Sequence, residues 1–250
     1  MNLKRSFPAA VALTLLAAAT AMGASESEPR TAALEMWDDP QFRKEFLGSY
    51  GTNSDIEPRV TSVEYEQMEQ VLPLLASDPQ AAIEQLELIT TPEVSAVFDF
   101  TLANAYFQQE DLDAAVEHYR AALEKFPAFR RAHKNLGLIH VRKGDFREAI
   151  RSLSRVIELG GGDGLTYGLL GYSYSSTEQF VPAESAYRNA MLLQPDTLDW
   201  KMGLTQSVLR QRKYNEGVTL CEELIARYPE RSDFWLLQAN AYIGLNEPLK

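Results

Sequence analysis

A single cysteine, Cys221, stands in 250 residues, so no intramolecular disulfide can form and no thiol cluster can hold a metal. Histidine is nearly as scarce: three residues, none in the paired spacing that zinc sites use on a helix. No nucleophile elbow, Walker-type loop or Cys–His pair occurs, so no catalytic constellation, cofactor or metal is expected. Glycine clusters once, at Gly160-Gly161-Gly162-Asp163-Gly164. That run follows no strand pattern and lacks the Lys-Ser/Thr of a phosphate loop, so it predicts the end of a helix. Positive charge is in deficit, with 24 Lys and Arg against 35 Asp and Glu, which argues against non-specific nucleic-acid binding. Beyond the N-terminus no apolar run approaches the about 20 residues of a membrane span.

The N-terminus itself is different. Lys4 and Arg5 precede an apolar run from Ala9 to Ala21 that ends in the small residues Ala19-Thr20-Ala21. This is the pattern of a secretory signal peptide over 1–23, cut after Ala21 or Gly23 and leaving no membrane anchor. No cysteine lies nearby to carry a lipid. Without Lys4 and Arg5, 22 basic residues face 35 acidic ones, a net charge of −13 against −11 for the whole chain. An exported chain without disulfides points to the periplasm or bacterial envelope, or to secretion.

What the sequence has in abundance is repetition. Leu102, Leu136, Leu170 and Leu204 stand 34 residues apart, each followed by a small residue: Ala103, Gly137, Gly171 and Thr205. Ala115, Ala149, Ala183 and Gly217 keep the same step, as do Tyr119, Leu153, Tyr187 and Cys221. Pro127, Gly161, Pro195 and Pro229 close the units, and a fixed period of this length signals stacked repeats. Within a unit, Leu102, Ala103, Tyr106 and Phe107, then Leu112, Ala115, Val116, Tyr119, Ala122 and Leu123, follow helical spacing. Gln109-Glu110-Asp111 makes the turn between them, with Asp111 placed to cap the second helix. Small residues let helix backbones approach, and the closing prolines stop each second helix.

These residues resemble the tetratricopeptide repeat family over roughly 63–250. The resemblance implies an all-α, right-handed superhelical solenoid of helix-turn-helix units. The expected division is a signal peptide at 1–23, an N-terminal extension or cap with a short helix at 24–60 and a degenerate hairpin at 61–95. Units at 96–129, 130–163, 164–197 and 198–231 follow, with an incomplete unit at 232–250. In the extension, Trp37, Phe42, Phe46 and Tyr50 supply aromatic surface for covering the first repeat or docking a partner. The final unit lacks its second helix, so the natural chain is expected to continue or to self-associate through its uncapped end.

The same resemblance places the first helix of each unit on a concave peptide-binding groove. Its positions here are Phe100, Asn104, Phe107, Arg131, Lys134, Leu138, Arg142, Tyr172, Met202 and Gln206. Between Arg130 and Arg155 eight basic residues meet two acidic ones, a local excess of six positive charges. Donors beside rings suit an acidic or C-terminal carboxylate on an extended peptide. The later basic positions of the chaperone-binding clamp are Leu165 and Leu169 here, which disfavours a chaperone tail. Arg147, Arg151 and Arg155 are expected on an outer helix face, paired with acidic neighbours. Function is thus expected to be an exported protein–protein adaptor. The alternatives are a component of an envelope energy-transducing (TonB-type) or assembly complex, or the repeat module of a longer enzyme or sensor.

Overall fold

The computed structural model describes residues 57–246. The expected signal peptide at 1–23, the aromatic residues Trp37, Phe42, Phe46 and Tyr50, and the last four residues lie outside them. The described residues carry eleven helices and no strand, an all-α repeat solenoid in class. In chain order these are α1 (Ser62–Ser77), α2 (Pro79–Ile89), α3 (Ala96–Gln108), α4 (Leu112–Lys125), α5 (Arg130–Lys143) and α6 (Phe146–Glu158). They are followed by α7 (Gly164–Ser176), α8 (Phe180–Leu193), α9 (Leu198–Arg210), α10 (Tyr214–Arg227) and α11 (Ser232–Gly244). Two compact units divide them: one runs to Gly144 and includes Arg155–Gly161, the other comprises Asp145–Ser154 and resumes at Gly162.

Local chemistry sets the helix ends. Thr61 and Glu64 form a reciprocal capping box at the start of α1, and Asp78 accepts from the Ala81 N–H to start α2 behind Pro79. Asp111 accepts from the Ala114 N–H at 3.1 Å and caps α4. Pro73, which weakened the expected repeat match, sits inside a continuous α1. That helix is held by its capped start and by the buried Met68 and Val71. Gly160, with φ of +76°, ends α6: its N–H and that of Gly161 turn back to the carbonyls of Ile157 and Val156, the pattern of a helix stop.

Between the two helices of each unit one residue is left-handed: Glu110, Gly144, Glu178 and Arg212, with Asn246 after α11. Their φ values of 65°, 78°, 59°, 61° and 62° recur at the repeat step although four of the five residues have a Cβ. Behind three of them, the N–H groups of Asp111, Gln179 and Lys213 bond to Tyr106, Tyr174 and Val208 carbonyls, closing the preceding helix.

In the first unit α3 is the centre. Val97, Phe98, Leu102 and Ala105 pack on Met68, Val71, Ala82, Ile83 and Leu86 of α1 and α2. On other faces of α3, Ala96, Phe100 and Ala103 pack with Ala115, Val116, Tyr119, Phe129 and Leu136. Every residue from Ala96 to Ala105 is buried, as expected for a helix apolar all round. In the second unit, close backbone approach does the same work. A Cβ on Gly168 would come within 2.3 Å of the buried Trp200 ring, and one on Gly203 within 2.2 Å of Tyr187. Glycine at these two helical positions makes room for a large ring from a neighbouring helix, which offsets its poor helix propensity.

Candidate functional site: the Arg131 cluster

The first unit gathers charge, amide and aromatic groups at one place. Phe129 precedes α5 and Arg131 lies in that helix's first turn. The Arg131 guanidinium stands over Phe100, 5.1 Å from the ring centroid, and near Phe129 at 5.6 Å; the two rings are 4.6 Å apart. Its Nε lies 3.0 and 2.9 Å from the two carboxylate oxygens of Glu57, and its Nη2 lies 2.8 Å from Oε2. Both hydrogen bonds come from Nε, and Nη2 adds a close ionic contact to the same carboxylate. Both side chains are largely buried, at 19% and 8% exposure, so removing either would leave a desolvated charge.

Behind the ion pair is a polar triad. The Tyr119 hydroxyl donates to Asn104 Oδ1, and Asn135 Nδ2 donates to the same oxygen at 3.1 Å and to the Tyr119 oxygen at 3.0 Å. Burial pushes the Tyr119 phenol far up, with the Asn135 hydrogen bond and the Arg131 charge acting the other way. The Asn104 Nδ2 group makes no hydrogen bond among the described residues.

The expected groove residues are therefore treated unequally. Phe100 is wholly buried and Asn104 nearly so, because α3 is covered on all sides. Phe107 is partly buried against the same core. Lys134 and Leu138 are half-buried on α5, and Arg142 reaches across to pair with Glu110. In the second unit, Tyr172 packs edge-on against Phe146 at 5.5 Å, Met202 is half-buried and Gln206 is exposed. On α6, Arg151 pairs with Glu148 within the second unit, and Arg155 pairs with Glu158 at 2.9 Å within the first.

Four members of the cluster had no place in the expected site, and one of them, Tyr119, was expected only as a core position of the repeat. Asn135 falls at a register position occupied elsewhere by Thr101, Leu169 and Gly203, so an amide there is an outlier the repeat alignment exposes. Phe129, next to a unit boundary, reads as a boundary residue. Glu57 precedes every repeat, in a stretch with no periodicity, and nothing in the sequence joins it to Arg131 across 74 residues.

The second unit holds a different buried carboxylate. Glu184 accepts from Lys213 at 2.7 Å, Arg188 at 2.7 Å and Gln211 at 2.6 Å. Burial opposes its ionisation, but the hydrogen bonds from Lys213, Arg188 and Gln211 outweigh it and hold the group at about 2. All donors come from within the unit, so this is an internal brace. On α11, Trp235, Leu236 and Ile243 are exposed. Cys221 is buried, and among the described residues no group of His, Cys, Asp and Glu is placed to hold a metal. No helix among them is long and apolar enough to cross a membrane.

Residues 100–164 match the family model of the tetratricopeptide repeat. The Arg131 cluster lies inside this stretch except for Glu57. Solved structures agree on the fold. One is YrrB, described as a tetratricopeptide protein with an unusual peptide-binding site: 18% identity, TM-score 0.60, covering 69% of this chain and 86% of that one. Another is residues 41 to the end of MamA from Desulfovibrio magneticus, with 18% identity, TM-score 0.55 and coverage of 72% and 97%. A tetratricopeptide repeat protein from Parabacteroides merdae gives 15% identity, TM-score 0.57 and 73% of each chain. At such identities the likeness speaks for the fold alone. No curated protein sequence is significantly similar to this chain.

Proposed function

We propose that this chain is an exported protein–protein adaptor whose first tetratricopeptide unit binds an acidic, extended peptide segment at Arg131. One observation carries the proposal: the Arg131 guanidinium, backed by the Phe100 and Phe129 rings, already holds a carboxylate presented by an irregular stretch of chain. A guanidinium over aromatic rings takes the charge, while donors beside it suit the amides of an extended peptide. YrrB, a protein of this fold, has a peptide-binding site by its description, which makes a peptide the natural class of ligand. No reaction is proposed, because no nucleophile, acid–base pair or metal set accompanies the cluster. Export rests on Lys4, Arg5 and the apolar run to Ala21.

The test is an array of ten-residue peptides, with and without Asp and Glu, probed with the full chain and with Arg131→Glu. Wild-type protein is expected to select acidic peptides, and the variant to lose that selection while keeping its helical circular dichroism. The proposal fails if no chain that retains Arg131 shows a preference for acidic peptides.

A further inference from the structure

Residues 57–60 precede α1 and form no regular element, yet Glu57 and Pro58 are both buried. The stretch is fastened at both ends. Glu57 meets Arg131 through three contacts of 2.8 to 3.0 Å. Two residues on, the Arg59 carbonyl accepts from the Ser95 hydroxyl at 2.8 Å. Beyond it Glu64, the capping-box residue of α1, accepts from the Ser95 N–H at 2.7 Å. Burial of this short piece over α3 and α5 fits a helix α3 that has no exposed residue in its first ten.

We infer that the Arg131 site is self-occupied: the stretch Glu57-Pro58-Arg59-Val60 is an internal ligand, and a partner segment binds by displacing it. The inference rests on the peptide-site reading above and adds two things, the ligand's chemistry and its control. The external ligand carries a glutamate in an irregular stretch followed directly by proline, the pattern this chain itself puts on Arg131. Its apparent affinity is reduced by the fraction of molecules in which Glu57 has released Arg131. Because the internal carboxylate is tethered, its local concentration exceeds that of a free peptide, so displacement needs further contacts, a tethered partner or several copies of the motif.

The probe is a dye-labelled peptide with the sequence of residues 53–62, titrated by fluorescence anisotropy into the full chain. Glu57→Gln is expected to bind it on the order of tenfold more tightly than wild type, the gain set by the closed fraction of the internal ligand. Adding Arg131→Lys to that variant, which keeps the charge but loses the planar guanidinium and its Nε donor, abolishes the gain. A probe with Gln in place of its Glu shows no gain on either protein. A second readout needs no peptide. The Arg131 side-chain Nε–H resonance shifts between wild type and Glu57→Gln, with the amide spectrum otherwise retained.

Equal probe binding by wild type and Glu57→Gln, both weakened by Arg131→Lys, would overturn self-occupancy and leave the peptide site standing. An Arg131 resonance indifferent to Glu57 would also overturn it. If no variant binds this probe or any acidic peptide of the array, both proposals fall together.

Discussion

Phe100 in the first unit and Gly168 in the second hold the same place in the register, two repeats apart, and the units fill that place from opposite sides. In the first, α3 itself supplies the ring, which packs on Phe129 and Tyr119. In the second, α7 supplies nothing and Trp200 of α9 lies against it. The tyrosines tell the same story: Tyr119 and Tyr187 are equivalent and buried, and burial raises both phenols. Tyr119 is satisfied by Asn104 and Asn135 from two different helices. Tyr187 has Ser175, whose hydroxyl in turn meets Ser207 at 3.1 Å. The period fixes where bulk and polarity must be matched, and leaves open which helix provides them.

The largest effects test the packing half of that contrast. Phe100→Ala should destabilise by about 3–5 kcal/mol, as for large-to-small changes in a core, whereas Gly168→Ala should cost about 1–3 kcal/mol by overpacking. Denaturant titration would measure both. A Gly168→Ala chain as stable as wild type would mean that Trp200 moves aside, and that the two units are less different than they look.

Tyr119→Phe comes next. It removes the hydroxyl that bonds to both Asn104 and the half-buried Asn135, leaving only the Asn135–Asn104 hydrogen bond, and should cost about 1–3 kcal/mol, while Tyr187→Phe leaves Ser175 its partner Ser207 and should cost about 1 kcal/mol or less. Equal losses would show that the amide triad is no more demanding than the hydroxyl pair. The mildest change is one of pH dependence. Glu184 is lowered from 4.5 to about 2 in the folded chain, so its contribution is present above pH 4.5 and is lost as pH falls toward 2. Glu184→Gln should flatten stability against pH across that window and lower stability in the neutral range, where the carboxylate's contribution is fully present. An unchanged slope would mean Lys213, Arg188 and Gln211 do not hold the carboxylate in solution.

Fold class was legible because repetition is redundant: Leu102, Ala115, Tyr119 and Pro127 each signal weakly, but four copies in step leave few other architectures. The site was legible only in part. Arg131 stood out as charge beside rings, and periodicity placed Phe100 near it. What periodicity could not show was the covering of Phe100 and Asn104, since that depends on packing against elements on every side of α3. Glu57 was the least visible, because a lone acidic residue before a proline has no spacing from which to infer a contact 74 residues away. Long-range pairing of an irregular segment is a property of tertiary structure, and local pattern does not encode it.

The left-handed residues between helices have a consequence for how such a chain can change length. Glu110, Gly144, Glu178, Arg212 and Asn246 range from acidic through basic and amide to no side chain at all, yet each turns the backbone the same way at the same count. The turn is thus kept by dihedral angle and helix length, while the residue type drifts. Losing or gaining one residue at such a point rotates the following helix by about 100° and takes its small-residue stripe off its neighbour. Gaining a whole unit rotates nothing within the hairpins. Viable length variants of this chain are expected to differ by complete repeats, the way a ladder is extended by rungs.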